Sequence, residues 1–119
     1  MLQIMEGSEG KAVGVRAGGR LTEADYKDLL PKLEQRFGEF GKLNVLFYVD
    51  ETFEGWGIEA AWEDTSFGFA HMSDFERLAV VGAPGWVVWC VKLSAFLFKG
   101  EVRVFEAGEL DAAWEWVRG

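Results

Sequence analysis

Lys42-Leu43-Asn44-Val45-Leu46-Phe47-Tyr48-Val49 is nearly continuous apolar sequence rich in β-forming residues. That is the composition of a central strand covered on both faces, because a strand with one face in water alternates instead. On its N-terminal side, Leu2 to Glu6 and Lys11 to Gly18 read as short strands joined by the turn-rich connector Gly7-Ser8-Glu9-Gly10, an antiparallel hairpin. In the second of these, Val13, Val15 and Ala17 alternate with Ala12, Gly14 and Arg16, the period of a strand with one better-buried face.

Between hairpin and central strand, Leu21-Thr22-Glu23-Ala24-Asp25-Tyr26 carries a helix start. Thr22 serves as N-cap, Asp25 as a short stand-in for the capping-box Glu, and Leu21 against Tyr26 as a hydrophobic staple. Tyr26, Leu29, Leu30, Leu33, Phe37 and Phe40 continue the apolar stripe to Gly41, with a kink or staggered turn expected at Pro31. Beyond the central strand come a loop over 50–57, a helix over 58–73, a strand over 77–82, a helix opened by Pro84, a strand over 101–105 and a last helix over 109–117. Strands alternating with helices give an α/β fold: a single domain over 1–119, with a five-stranded, mostly parallel sheet, an N-terminal antiparallel hairpin strand and four helices.

The helix expected over 84–98 has two apolar faces. At 100° per residue, Trp86, Trp89, Cys90, Leu93, Phe96 and Leu97 share one side, Val87, Val91 and Phe98 lie roughly opposite, and Lys92 and Lys99 mark a narrow polar edge. One side can dock on the domain; the other needs a second helix, a ligand, a partner or a lipid surface. Cys90 is expected as a small core residue.

Composition narrows the function. The 119 residues include six Trp and ten Phe, many for this length, and carry a net charge of −8. Twelve scattered Lys and Arg do not form the cluster that phosphate neutralisation needs, so nucleic acid is excluded as a partner, and strong attraction to anionic lipid is disfavoured. One cysteine permits no internal disulfide, and the N-terminus lacks the pattern of a signal peptide, so a cytoplasmic location is expected.

Catalytic groups do not assemble. Glu59, Glu63 and Asp64 read as a solvated helix face, the lone His71 as a surface or hydrogen-bonded histidine, and no glycine pattern cradles a nucleotide. In the 50–57 loop, Glu51 and Glu54, with Glu59 beyond it, complement a helix N-terminus more simply than they build a cation site, so neither metal nor cofactor is expected. Trp86, Trp89 and Phe96 can be read as core. Yet Trp56, Phe67 and the surplus face of the 84–98 helix present more aromatic area than one small sheet and four helices need, and an apolar cleft between the 58–73 and 84–98 helices accounts for it.

Phe53-Glu54-Gly55-Trp56, Ala60-Ala61-Trp62-Glu63-Asp64, Asp74 through Val81, and Lys92 through Phe98 leading into Glu101-Val102-Arg103-Val104-Phe105 together resemble the SpoIIAA-like family, a branch of the STAS-type fold also compared with CRAL-TRIO lipid-binding domains. The resemblance implies a β-α superhelical sheet with the 58–73 and 84–98 helices as a movable pair, and a non-enzymatic role with apolar ligands or membrane association. Antagonists of anti-sigma factors carry a phosphorylatable serine just after the central strand, where this chain has Asp50-Glu51-Thr52, so Thr52 is the candidate regulatory residue.

The expectation is a non-enzymatic module for a lipophilic small molecule, a lipid or a membrane surface. Trp56, Trp62, Phe67, Trp86, Trp89 and Phe96 would line the cleft, and Lys92 would offer a polar handle. The alternative is a protein-interaction regulator of the anti-sigma-factor-antagonist type, with a partner protein or a second copy in a homodimer, working through the 50–57 loop.

Overall fold

The computed structural model describes residues 1–57, 74–94 and 100–119. Its main sheet has the order β1-β2-β4-β6-β7, formed by β1 (Leu2–Ile4), β2 (Ala12–Ala17), β4 (Leu43–Val49), β6 (Phe75–Val81) and β7 (Glu101–Phe105). β1 runs antiparallel to β2, while β2, β4, β6 and β7 are parallel neighbours. A second, two-stranded sheet pairs β3 (Arg20–Leu21) with β5 (Gly55–Trp56).

The three described α-helices are α1 (Glu23–Phe40), α2 (Gly85–Ser94) and α3 (Leu110–Arg118), the last entered through a single 3-10 turn at Ala107–Glu109. The expectation of five main strands and four helices is therefore met at a coarser level: a mixed five-stranded sheet and three helices among the described residues. The helix expected over 58–73 lies outside the described residues, as does the end of the 84–98 helix from 95 onward.

Side-chain alternation along the strands builds two cores. Val13, Val15 and Ala17 of β2 join Leu43, Val45 and Phe47 of β4 on the face covered by α1, where Tyr26, Leu29, Leu33 and Phe37 are buried. Leu46 and Tyr48 point the other way and meet Ala79, Val81 and Phe105 beneath Ala113, Trp114 and Val117 of α3. In β6 the parity changes: Phe75 and Leu78 share the α1 face although they are three residues apart. The β4–β6 register shifts between Leu43 and Asn44, skipping Glu76, and the strand begins two residues earlier than its apolar pattern predicts.

The start of α1 follows the sequence closely. The Asp25 N–H donates to Thr22 Oγ1 at 3.3 Å and the Thr22 N–H donates to Asp25 Oδ2 at 2.9 Å, closing the capping box, and Leu21 and Tyr26 belong to one buried cluster. Residues 23–40 form a single helix through Pro31. It ends at Gly41, whose φ of 78° lets its N–H donate to Phe37 O at 2.8 Å.

At the C-terminus, α3 is fastened to the sheet by its last carbonyls. Buried Asn44 donates from Nδ2 to Val117 O at 2.7 Å, and Arg77 Nη1 donates to Trp116 O at 2.6 Å. Trp114 lies on β2, where a side chain at Gly14 would place a Cβ 2.5 Å from the indole ring. The glycine is what lets that ring reach the strand.

Candidate functional site

The site begins with the small β3–β5 pair. Arg20 pairs with Gly55 and Leu21 with Trp56, so the loop that leaves β4 folds back onto the start of α1. Glu54 N–H to Gly19 O and Gly57 N–H to Leu21 O, both at 2.8 Å, hold that return. Trp56 is thereby half-buried, and its indole Nε1 donates to the Tyr26 hydroxyl at 2.6 Å. Fixing the polar edge of the indole leaves its rings free to pack.

Phe53 and Trp86 pack against it. The Phe53 and Trp56 rings meet edge to face at 5.0 Å, Trp56 and Trp86 do so at 5.6 Å, and Phe53 and Trp86 stack at 6.3 Å with 25° between their planes. These spacings are those of favourable aromatic contacts, so the three rings close on one another and leave no room for a guest between them. Trp86 is nevertheless 54% exposed.

From Trp86 the apolar surface continues along α2. Val87 is buried and Val88 and Val91 are half-buried, whereas Trp89 is 66% and Leu93 63% exposed. Among the described residues of the two apolar faces, Val87 and Val91 turn inward, and Trp86, Trp89 and Leu93 turn to solvent. Cys90 corrects the expectation of a core thiol: it shares the outward face and is exposed. The inward side of the helix is centred among Val87, Val88 and Val91, and Cys90, one turn after Trp86, falls on the Trp86 side of it. Lys92 is exposed in the last turn and is the sole charge on α2.

Trp56, Trp86, Trp89 and Lys92 are thus placed by the structure, the first two in direct contact and the others farther along α2. Trp62, Phe67 and Phe96 lie outside the described residues, and with them the expected cleft.

Thr52 has a structural task. Its hydroxyl donates to Asp50 Oδ1 at 2.6 Å and accepts from the Gly19 N–H at 3.1 Å, while its own N–H donates to Asp50 Oδ1 at 2.9 Å. Arg16 Nε donates to the other carboxylate oxygen at 2.9 Å and lies over the Tyr48 ring. Burial by itself favours the neutral acid, but the Thr52 and Arg16 hydrogen bonds outweigh it and hold the Asp50 carboxyl below its usual range. Gly18 is confined by this group, because a Cβ there would come within 2.7 Å of both Asp50 and Thr52 oxygens.

Phe53, Tyr26 and the Arg16–Asp50 pair were not among the site residues expected from the sequence. Phe53 is three residues before Trp56 in a loop with no period, and Tyr26 reads as part of a staple and of the apolar stripe of α1; Asp50 two residues before Thr52 is the one legible signal, an Asx-turn spacing. Among the described residues, no three His, Cys, Asp or Glu side chains gather as a metal site, and no helix is long and apolar enough to cross a membrane.

Comparison with known proteins agrees with this architecture. The crystal structure of an uncharacterized Shewanella loihica PV-4 protein with a SpoIIAA-like fold is similar at a TM-score of 0.76, with 24% identity, covering 98% of this chain and 92% of that one. No curated protein matches. The SpoIIAA-like family model matches residues 12–118, from the second strand to the last turn of the last helix, and the chain belongs to the SpoIIAA-like family.

Proposed function

We propose that the protein is a non-enzymatic binding module for a lipophilic molecule with an acidic head, held on the outward face of α2. The observation that carries this reading is the exposure of Trp86, Trp89 and Leu93 side by side on one helix. Together they present roughly 300–400 Å² of apolar surface, in the range where the largest patch on a monomer is often functional. Covering it all would gain roughly 8–10 kcal/mol before the costs of association are met.

Lys92 supports the acidic head, since it is the one charge on this helix. A net charge of −8 weighs against an anionic bilayer as the occupant and favours a single amphiphile. A partner regulated through Thr52 is less well supported. A phosphate there would break the hydroxyl's bonds to Asp50 and Gly19 and set a dianion beside a buried carboxylate.

Calorimetric titration with palmitate tests the reading. Trp89→Ala is expected to weaken palmitate at least about tenfold and Lys92→Glu about fivefold, each with an unchanged melting temperature. Equal palmitate affinity in Trp89→Ala and the parent, or no palmitate binding by the parent, would overturn it.

A further inference from the structure

The sheet ends on β7, which among the described residues pairs on one side only, with β6. Its sequence, Glu101-Val102-Arg103-Val104-Phe105, alternates charged and β-branched residues before closing on a buried phenylalanine. Glu101 and Arg103 are exposed, and Val102 and Val104 are half-buried. An unpaired edge of this length is a template for another strand.

We propose that the β7 edge is the interface of a homodimer in which two copies of β7 pair antiparallel about a two-fold axis, with Glu101 of each copy opposite Arg103 of the other. The register follows from geometry. A two-fold axis perpendicular to the sheet keeps each face on its own side, so residues facing each other must share a face, and only pairings whose residue numbers add to an even sum survive. Pairing Glu101 with itself, or Arg103 with itself, sets like charges in contact. Pairing Arg103 with Phe105 leaves Glu101 without a charged partner across the strand.

The remaining register makes two Glu101–Arg103 ion pairs on the α3 face. On the other face Val102 meets Val102 and Val104 meets Gly100. Gly100 has to be a glycine within its own chain, since a Cβ there would collide with the Phe75 and Glu76 carbonyls of β6. Arg103 is already oriented by the rings of Phe105 and Trp116, 5.3 Å and 5.5 Å from its guanidinium carbon, which engages its flat face and leaves its edge for a carboxylate. Five residues per copy make a small interface, so the dimer is reversible and depends on concentration.

Analytical ultracentrifugation of the full chain, up to about 1 mM, tests the assignment. The parent is expected to dimerise reversibly. Glu101→Arg should weaken dimerisation about tenfold by placing Arg opposite Arg twice, with partial recovery in high salt. Combining Glu101→Arg with Arg103→Glu should restore it to within about threefold. Trp89→Ala should leave it unchanged, which separates this edge from the α2 face. A parent that stays monomeric throughout, a Glu101→Arg variant that dimerises like the parent, or dimerisation lost in Trp89→Ala would overturn the proposal. Should the double variant lose its native circular dichroism, the salt response of Glu101→Arg decides: a deficit that salt does not reduce contradicts the charge pairing.

Discussion

Helices α2 and α3 are of similar length and each carries two tryptophans, yet they use them in opposite senses. In α3, Trp114 is buried against Gly14, while Trp116 lies under the guanidinium groups of Arg77 and Arg103, and the helix's last carbonyls are tied to Asn44 and Arg77. In α2, Val87 is the buried side chain among the described residues, and Trp86 and Trp89 face solvent. A tryptophan is therefore core where the opposing strand has made a place for it, and surface where only smaller residues turn inward.

The widest gap between the two helices should appear on truncation. Trp114→Ala is expected to cost about 3–5 kcal/mol in urea denaturation, whereas Trp89→Ala should stay within about 0.5 kcal/mol of the parent. Comparable losses would dissolve the distinction. Filling the α3 side from the opposite direction is the next test: Gly14→Ala drives a methyl into the Trp114 ring and should cost about 1–3 kcal/mol, while Gly85→Ala, with open space around its α2 position, should not destabilise.

Much of this contrast was readable in advance, though not its sign. The wheel of residues 84–98 separates Trp86, Trp89 and Leu93 from Val87 and Val91, but the choice of inward face depends on the volume available over the sheet, which no local pattern encodes. The long strand around Val45 and the Thr22–Asp25 cap are local features, and they emerge from the sequence nearly intact. The β3–β5 pair is two residues on each side, too short to show a period, and its glycine-rich flanks read as loop. Asp50 looks like an exposed loop acid because it follows an apolar strand. Its burial depends on Arg16, thirty-four positions away, which no window along the chain connects to it.

Asp50 extends the comparison to the loop that supports the aromatic cluster. Its carboxyl is held below the ordinary range by Thr52 and Arg16, so its stabilising contribution is fully present above about pH 4 and is lost as pH falls through the lowered folded value. Asp50→Asn should therefore lower stability near neutrality by about 1–2 kcal/mol, modest because Arg16 stays half in water, and should flatten the acid limb of the stability profile. An unchanged acid limb would remove Asp50 from the account. A smaller loss than that of Asp50→Asn is expected from Thr52→Val, which keeps the shape but deletes the hydroxyl between Asp50 and Gly19 and should cost about 1 kcal/mol.

The outward face of α2 as a binding surface is the claim on which the functional account turns. Native mass spectrometry of freshly purified protein, followed by organic extraction, tests it most directly. The account predicts an added mass that extracts as an apolar acid and that Trp89→Ala loses while remaining folded. A bare polypeptide mass, an empty extract and no uptake of added palmitate would contradict it.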